Sequence, residues 1–335
     1  MATSPRRRRA TLVAGLIGAS LVATSLALGP AAGAVPVVRV LYAGSLATIN
    51  DQVLGPAFSR ADGIGYQGQG DATLALAREI VGGELTADLF ESVGTGGLRA
   101  VGPKLMPWAV SIASQPLVVM YNPKSRWAPE FQAIASGKRP LRDLFALLGT
   151  RGLRLGRTDP ETDPQGQAFV LMVHLATRLY HLPPDTPRRV LGPLENPAQV
   201  FAETALPAEL QAGGVDAASG FLPQAIELRL PYIALPPALD FAVAREAKTY
   251  AQASIVLPTT HRRVVGAPLA IWAGPLFEPG SHAALGVRYL EFVMSAQGQA
   301  DLRKNGFTPL SLPVYGRADL LPKALASELR RDARR

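Results

Sequence analysis

From Val35 onward the chain alternates short apolar runs with segments of helical period, and this alternation restricts the fold more than any other feature. VVRVLYAG (37–44) reads as a strand, and TINDQVLGPAFSRAD (48–62) as a helix interrupted at Pro56. IGYQGQG (64–70) is a weak strand. DATLALAREIVGG (71–83) is a helix with Leu74, Ala77, Ile80 and Val81 on one face, and ADLFESV (87–93) is a third strand. Further strands are expected in QPLVVMYNP (115–123), LRLGRT (153–158), GVDAASGF (214–221), PYIALP (231–236) and VVGAPLAIWA (264–273), with helices over 166–182, 197–212 and 281–302. Strands alternating with helices predict α/β architecture, a parallel or mixed sheet covered on both faces, and there are enough strands for two sheets.

The first 34 residues stand apart. MATSPRRRR is followed by an apolar run from Ala10 to Leu28 and by Ala32-Gly33-Ala34, a small-residue cleavage signal. This is the three-part form of a secretory signal peptide, with cleavage expected after Ala34. A membrane anchor is the rival reading, and Arg8-Arg9 leaves twin-arginine export open beside the general secretory route. Removing 34 of 335 residues leaves 301, a length that suits about two domains. Arg6 to Arg9 leave with the signal, which brings the net charge from +8 to about +4, and four of the remaining arginines crowd the terminal RRDARR (330–335). The body is therefore close to neutral, so the basic composition does not argue for nucleic acid. Without cysteine there are no disulfides, thiolate metal sites or lipidated N-terminal Cys. A free exported protein in the periplasm or a comparable space is expected.

Enzyme signatures are weak. GIGYQG (63–68) matches a dinucleotide fingerprint by its letters, but a helix precedes it and a strand containing Tyr66 runs through it, so these are turn glycines. His174, His181, His261 and His282 form no H-E-x-x-H pattern, and no serine sits in a G-x-S-x-G elbow. No nucleophile with its base is in view, and neither a catalytic residue nor a cofactor is expected.

Open α/β sheets bind ligands beyond the carboxyl ends of their strands. Small polar residues stand at those positions: Gly44-Ser45 after the first strand, Thr73 at the second helix, Ser92 in the third strand and Thr158 at the end of LRLGRT. Hydroxyls and helix N-termini suit an anion, whereas plain N-capping, by Asp71 or Thr73 among others, is the bland alternative. In GRTDPETDPQGQ (156–167), Asp163-Pro164 is an N-cap followed by Pro at the first helical position, with a Thr162/Gln165 capping box as the other option. Gly166 permits close approach to the first turn. A carboxylate at Asp163 repels an anion unless it caps backbone amides or bonds the anion's central atom.

Several of these pieces, in order, resemble the solute-binding proteins of molybdate/tungstate ABC importers, in the archaeal-type branch. YAGSL (42–46) resembles H-A-G-S-L; GDATLALAREI with ADLFESV resembles the A-G-S-V helix followed by A-D-V-x-x-S-A; and QPLVVMYNPKS resembles the strand crossing between lobes. GRTDPETDPQG resembles G-x-S-D-P-x-x-D-P-C-G, the most specific of the set, and FVMSAQGQADLRKNGFTPL resembles the family's closing helices. The resemblance implies a two-lobed periplasmic-binding-protein type II fold, mixed sheets with flanking helices and a hinge, holding an oxyanion between the lobes. It implies that Gly44 and Ser45 contact the anion, that Thr73 stands for a binding serine, and that Asp163 reaches the anion's metal atom. In GVDAASGF the family's second metal-reaching carboxylate falls at Gly220, where this chain has none, and Arg157 is offered as a compensating cation.

The expectation is an exported, monomeric receptor that closes over a tetrahedral oxyanion and delivers it to an ABC permease, molybdate or tungstate first and sulfate as the alternative. Lobe one is expected over 35–115 with 264–320, lobe two over 116–263, and a basic tail over 321–335. A secreted α/β enzyme is the rival of another class.

Overall fold

A computed structural model describes residues 35–332, with side chains to residue 329. The expected signal peptide over 1–34 and the end of the expected basic tail lie outside these residues. The strands, in chain order, are β1 (Val37–Ala43), β2 (Gly65–Asp71), β3 (Leu89–Val93), β4 (Trp108–Ser114), β5 (Leu117–Tyr121), β6 (Leu155–Thr158), β7 (Val200–Phe201), β8 (Ala217–Phe221), β9 (Tyr232–Ala234), β10 (Ser254–Val256), β11 (Arg263–Val265), β12 (Ala270–Pro275) and β13 (Tyr315–Gly316). They build a six-stranded sheet in the order β13-β4-β12-β3-β1-β2, a five-stranded sheet in the order β7-β6-β8-β5-β9, and a β10–β11 ribbon. Both large sheets mix parallel and antiparallel pairs: β1 runs parallel to β2 and β3, while β12 runs antiparallel to β3 and β4.

Apolar runs without polar alternation become strands buried on both faces. Val38, Val40 and Tyr42 of β1 face one core and Leu41 faces another; β5 divides Leu117 and Val119 from Val118 and Met120 in the same way. The Thr73–Gly82 helix buries Leu76, Ala77 and Ile80 against the first sheet, whereas Val81, expected on that face, is exposed. Burial of its Leu and Ile side chains alone contributes about 2–3 kcal/mol each.

Tertiary contacts change four expected elements, one of them the strand over 264–273, which divides into β11 in the ribbon and β12 in the first sheet. Residues 48–62 form no broken helix: a wide π-turn over Ile49–Leu54 runs into the Gly55–Asp62 helix, and Pro56 lies in that helix's first turn, where a missing N–H is harmless. Residues 197–212 are not one helix. Val200–Phe201 adds a strand beside β6, with Arg157 N bonded to Gln199 O at 2.7 Å, and the helix begins only at Leu206. The helix expected over 281–302 splits into Ala283–Met294 and Ala296–Lys304 at Ser295, whose hydroxyl accepts from Gly298 N and caps the second piece. The GIGYQG stretch behaves as expected, with Gly63 closing a helix in the left-handed region and β2 running from Gly65.

Candidate functional site

The register of the two sheets fixes which of their ends face each other. β4 ends at Ser114, and two residues later β5 begins in the other sheet at Leu117. In the first sheet Ser114 pairs with Ala270 and Val93 with Ile271, so the carboxyl end of β3, and of its parallel neighbour β1, lies on the crossing side. In the second sheet Leu117 pairs with Phe221, so the carboxyl end of β8 and of its parallel partner β6 lies on that side too. A returning segment binds the crossing: Leu117 N donates to Asp240 O at 2.8 Å, Ser114 Oγ to Ala242 O at 2.7 Å, and Leu269 N to Phe241 O at 2.7 Å. The carboxyl ends of β1 and β3 in one sheet and of β6 and β8 in the other thus flank one double crossing, the kind of edge at which open α/β sheets bind ligands.

On the first sheet the expected residues come together in part. Gly44-Ser45-Leu46 forms a short 3₁₀ turn directly after β1, and Gly44 packs close to the Asp71 carbonyl. Thr73 opens its helix, but Ala72 is the N-cap. No side chain caps that end, so the expected capping by Asp71 or Thr73 is corrected. Asp71 instead turns back to accept from Ala72 N at 2.6 Å, and the Thr73 hydroxyl makes no capping bond. A methyl group placed on Gly97 would sit 2.6 Å from Thr73 Cγ2 and 2.7 Å from Ser92 Oγ, so both side chains pack against Gly97. Ser92 is fully buried and donates to Gly94 O at 2.8 Å. Its neighbour Glu91 points to the opposite face of β3, into a buried network with Asn50 and Tyr289, and burial pushes its carboxyl up to about 7.

On the second sheet Asp163 is the N-cap of the Pro164–Leu179 helix, its Oδ1 accepting from Gln165 N at 2.7 Å; the alternative box from Thr162 does not form. Gly166 is required by packing, since a Cβ there would lie 2.4 Å from the Thr158 carbonyl oxygen. Thr158 is 1% exposed and sits beside the Asp163 carboxylate, which it helps to hold ionised, but its hydroxyl has no well-formed hydrogen bond. Burial raises Asp163 against the opposing pull of that hydroxyl and of the Gln165 and Gly166 amides.

Two proposed positions are not brought to this place. Arg157 alternates with Thr158 along β6 and so points through the other face of the sheet, where its guanidinium is fully buried. It donates to the carbonyls of Pro193 and Leu194, at 3.1 and 2.7 Å, and to Gln199 Oε1 at 3.2 Å. It therefore does not stand as a cation beside an anion. Gly220 is buried under Met120, whose Cε lies 2.4 Å from where a Cβ would be.

Two polar residues, Gln115 and Glu203, escaped the sequence reading, and Gln165 entered it only as a capping partner. Gln115, in the crossing itself, is 1% exposed and donates to Ser45 Oγ at 3.4 Å. Gln165 accepts from Ser219 Oγ at 2.9 Å. Glu203 follows β7, and its carboxyl is raised first by burial and then by the charge of Asp163. Only the Gln115 position carried a sequence signal, as the polar residue between two apolar strands. The histidines are dispersed, and among the described residues no three His, Asp or Glu gather to hold a metal ion.

Two mixed sheets joined by a double crossing, with polar loops at the facing strand ends, are the architecture of a two-lobed solute receptor. The chain belongs to the bacterial extracellular solute-binding protein family, whose model matches residues 38–308. It is 31% identical over 255 residues to a Haloferax volcanii protein named as a candidate molybdenum-binding protein of an ABC transporter, covering 76% of this chain and 77% of that one. It is 23% identical to a molybdate/tungstate-binding protein of Pyrococcus abyssi over 63% of this chain and 65% of that one. Among solved structures, the periplasmic molybdate-binding protein of Azotobacter vinelandii superposes with a TM-score of 0.56 at 13% identity, covering 82% of this chain and all of that one, which shows a shared fold. Among the described residues, no helix is long and apolar enough to cross a membrane.

Proposed function

We propose that the protein is the exported receptor of an ABC importer, closing its lobes over a tetrahedral oxyanion, molybdate or tungstate, and passing it to a membrane permease without any chemical step. The observation that carries this reading is the pairing of facing strand ends: Gly44, Ser45, Thr73 and Ser92 on one sheet, Thr158, Asp163 and Gly166 on the other. Neutral hydroxyls and the N-terminal amides of the Thr73–Gly82 and Pro164–Leu179 helices can hold an oxyanion without a buried countercharge. The names of the relatives favour molybdate and tungstate over sulfate. The chain crossings at 114–117 and 266–270, with the 240–242 segment bonded to both, are the proposed hinge, with the lobes dividing near residues 115 and 263 and the protein acting as a monomer in the periplasm after cleavage behind Ala34.

A thermal-shift panel with molybdate, tungstate, sulfate and phosphate tests the reading. At a ligand concentration 100-fold above Kd, about 2.7 kcal/mol of stabilisation is expected for molybdate or tungstate. Stabilisation by none of the four refutes it. Loss of the hydroxyl in Ser45→Ala or Thr73→Ala is expected to weaken binding by about 1 kcal/mol each, roughly fivefold.

A further inference from the structure

We propose that the edge of the second sheet remote from the crossing carries a membrane-docking face. Unpaired cations on the loops around 122–127, 136–142 and 149–154 hold the exported receptor against anionic phospholipid headgroups, in the layer where its permease lies. The inference goes beyond ligand capture and rests on the exported-receptor reading only for the presence of a membrane nearby.

Charge sets this face apart. Residues 122–154 hold seven Lys and Arg against two acids, Glu130 and Asp143, a net charge of about +5 where the whole exported chain carries about +4. All seven basic side chains are exposed. Arg139 pairs with Asp143 at 3.0 Å and Arg154 with Asp216 at 3.1 Å, whereas Lys124, Arg126, Lys138, Arg142 and Arg151 have no ion pair among the described residues. The fold brings them to one end of the lobe. Lys124 and Arg126 follow the end of β5 at Tyr121, and Arg154 directly precedes β6. The five residues of β5 set this edge about 17 Å from the crossing. Arg126 joins two of the loops, its guanidinium 4.8 Å from the Trp127 ring centroid and its Nη2 3.4 Å from Gly152 O. The Ala128–Ala135 and Asp143–Leu148 helices, anchored in the lobe core by Phe131, Ile134, Leu144 and Phe145, carry the third loop between them.

The arrangement suits a surface of many phosphates. The cations stand on separate loops, each in water, and a lipid surface rewards every one of them without requiring that they converge. A single small anion requires convergence, and the cavity of about 520 Å³ beside Lys124, Arg126 and Arg154 does not provide it. The Asp216 carboxylate lines that cavity, and the carbonyl end of the Leu206–Ala212 helix meets it at Gly213, so both repel an anion there. A folded protein partner is anchored by apolar side chains, and none of the large exposed hydrophobic residues among those described falls within 122–154. Since the face is remote from the crossing, adsorption leaves the proposed oxyanion site free, and anion binding and membrane binding are independent.

The test is co-sedimentation of the exported protein with vesicles of mixed phosphatidylglycerol and phosphatidylcholine, and with vesicles of phosphatidylcholine alone. The wild type is expected to bind only the anionic vesicles and to be released in about 1 M salt, where the screening length falls to about 3 Å. Each cation removed should weaken binding about fivefold. A variant combining Lys124→Gln, Lys138→Gln, Arg142→Gln and Arg151→Gln should therefore lose at least about a hundredfold, with its melting temperature unchanged. If that variant does not fold, Arg142→Gln with Arg151→Gln must lose about 25-fold. The basic C-terminus is the internal control: glutamine at Arg330, Arg331, Arg334 and Arg335 must leave most of the binding in place. No binding to anionic vesicles, equal binding to neutral ones, loss with the C-terminal variant alone, or displacement by inorganic phosphate at the concentration of lipid phosphate each overturns the inference. None of these results touches the oxyanion reading, which the thermal-shift panel tests separately.

Discussion

Glu91→Gln isolates the energetic cost of one buried carboxyl. Glu91 is 1% exposed; its Oε2 accepts from Asn50 Nδ2 at 2.7 Å, and its Oε1 has no partner. Burial holds the group at about 7 instead of the ordinary 4.5. The folded state therefore binds this proton more tightly than the unfolded state does. The associated stability is complete below pH 4.5 and is lost as pH rises to 7, levelling off above that. The loss amounts to roughly 3 kcal/mol. A glutamine resembles the protonated acid in shape and charge and does not titrate. The difference in unfolding free energy, variant minus wild type, should thus grow by roughly 2–3 kcal/mol between pH 5 and pH 8, in favour of the variant. In melting temperature this is about 4–12 °C for a chain of this size. Urea unfolding followed by circular dichroism at pH 5, 6, 7 and 8 gives both curves. Other buried acids, such as Asp240, which burial raises to about 6, titrate in both proteins and cancel in the difference. Parallel curves for the two proteins would refute the reasoning, because they would mean that Glu91 ionises in the fold as freely as in water.

Arg157→Met should destabilise the fold by about 2–4 kcal/mol in chemical denaturation, since the buried carbonyls of Pro193 and Leu194 lose their donor. Molybdate affinity should change by less than about threefold, a result that separates a structural arginine from one beside the anion. Gly166→Ala should cost about 1–3 kcal/mol, because its Cβ would meet the Thr158 carbonyl oxygen at 2.4 Å; calorimetry should show weaker anion binding with it, as the Asp163 cap is displaced. Gly220→Glu should also lose about 1–3 kcal/mol in thermal unfolding through collision with Met120, and should not tighten molybdate binding.

Local signals and tertiary signals differ in how they were written into the chain. The Asp163 cap was legible because N-capping is decided within four residues, by a short side chain reaching the next free amide and a proline where no N–H is needed. The Thr73 end shows the limit of the same logic: the sequence offered two capping side chains, but Asp71 bonds the amide next to it and neither caps the helix. Val200–Phe201 was read as helix because its own period permits one. What made it a strand is the open edge of β6, some 40 residues earlier, whose backbone groups needed partners.

The sequence by itself determined the α/β class, the strand ends where small polar residues gather and the glycine-bearing loop over 156–167, because each depends on composition and spacing over a few residues. The tertiary structure alone decided which side of a strand each of those residues faces. Arg157 and Thr158 are neighbours in the chain, yet the pleat sends one into the core and the other toward the crossing. Thr158 and Phe201 lie far apart in the chain, yet the pairing of β6 with β7 makes them neighbours. A strand's partner is chosen by the whole sheet, and no short window of sequence contains that choice.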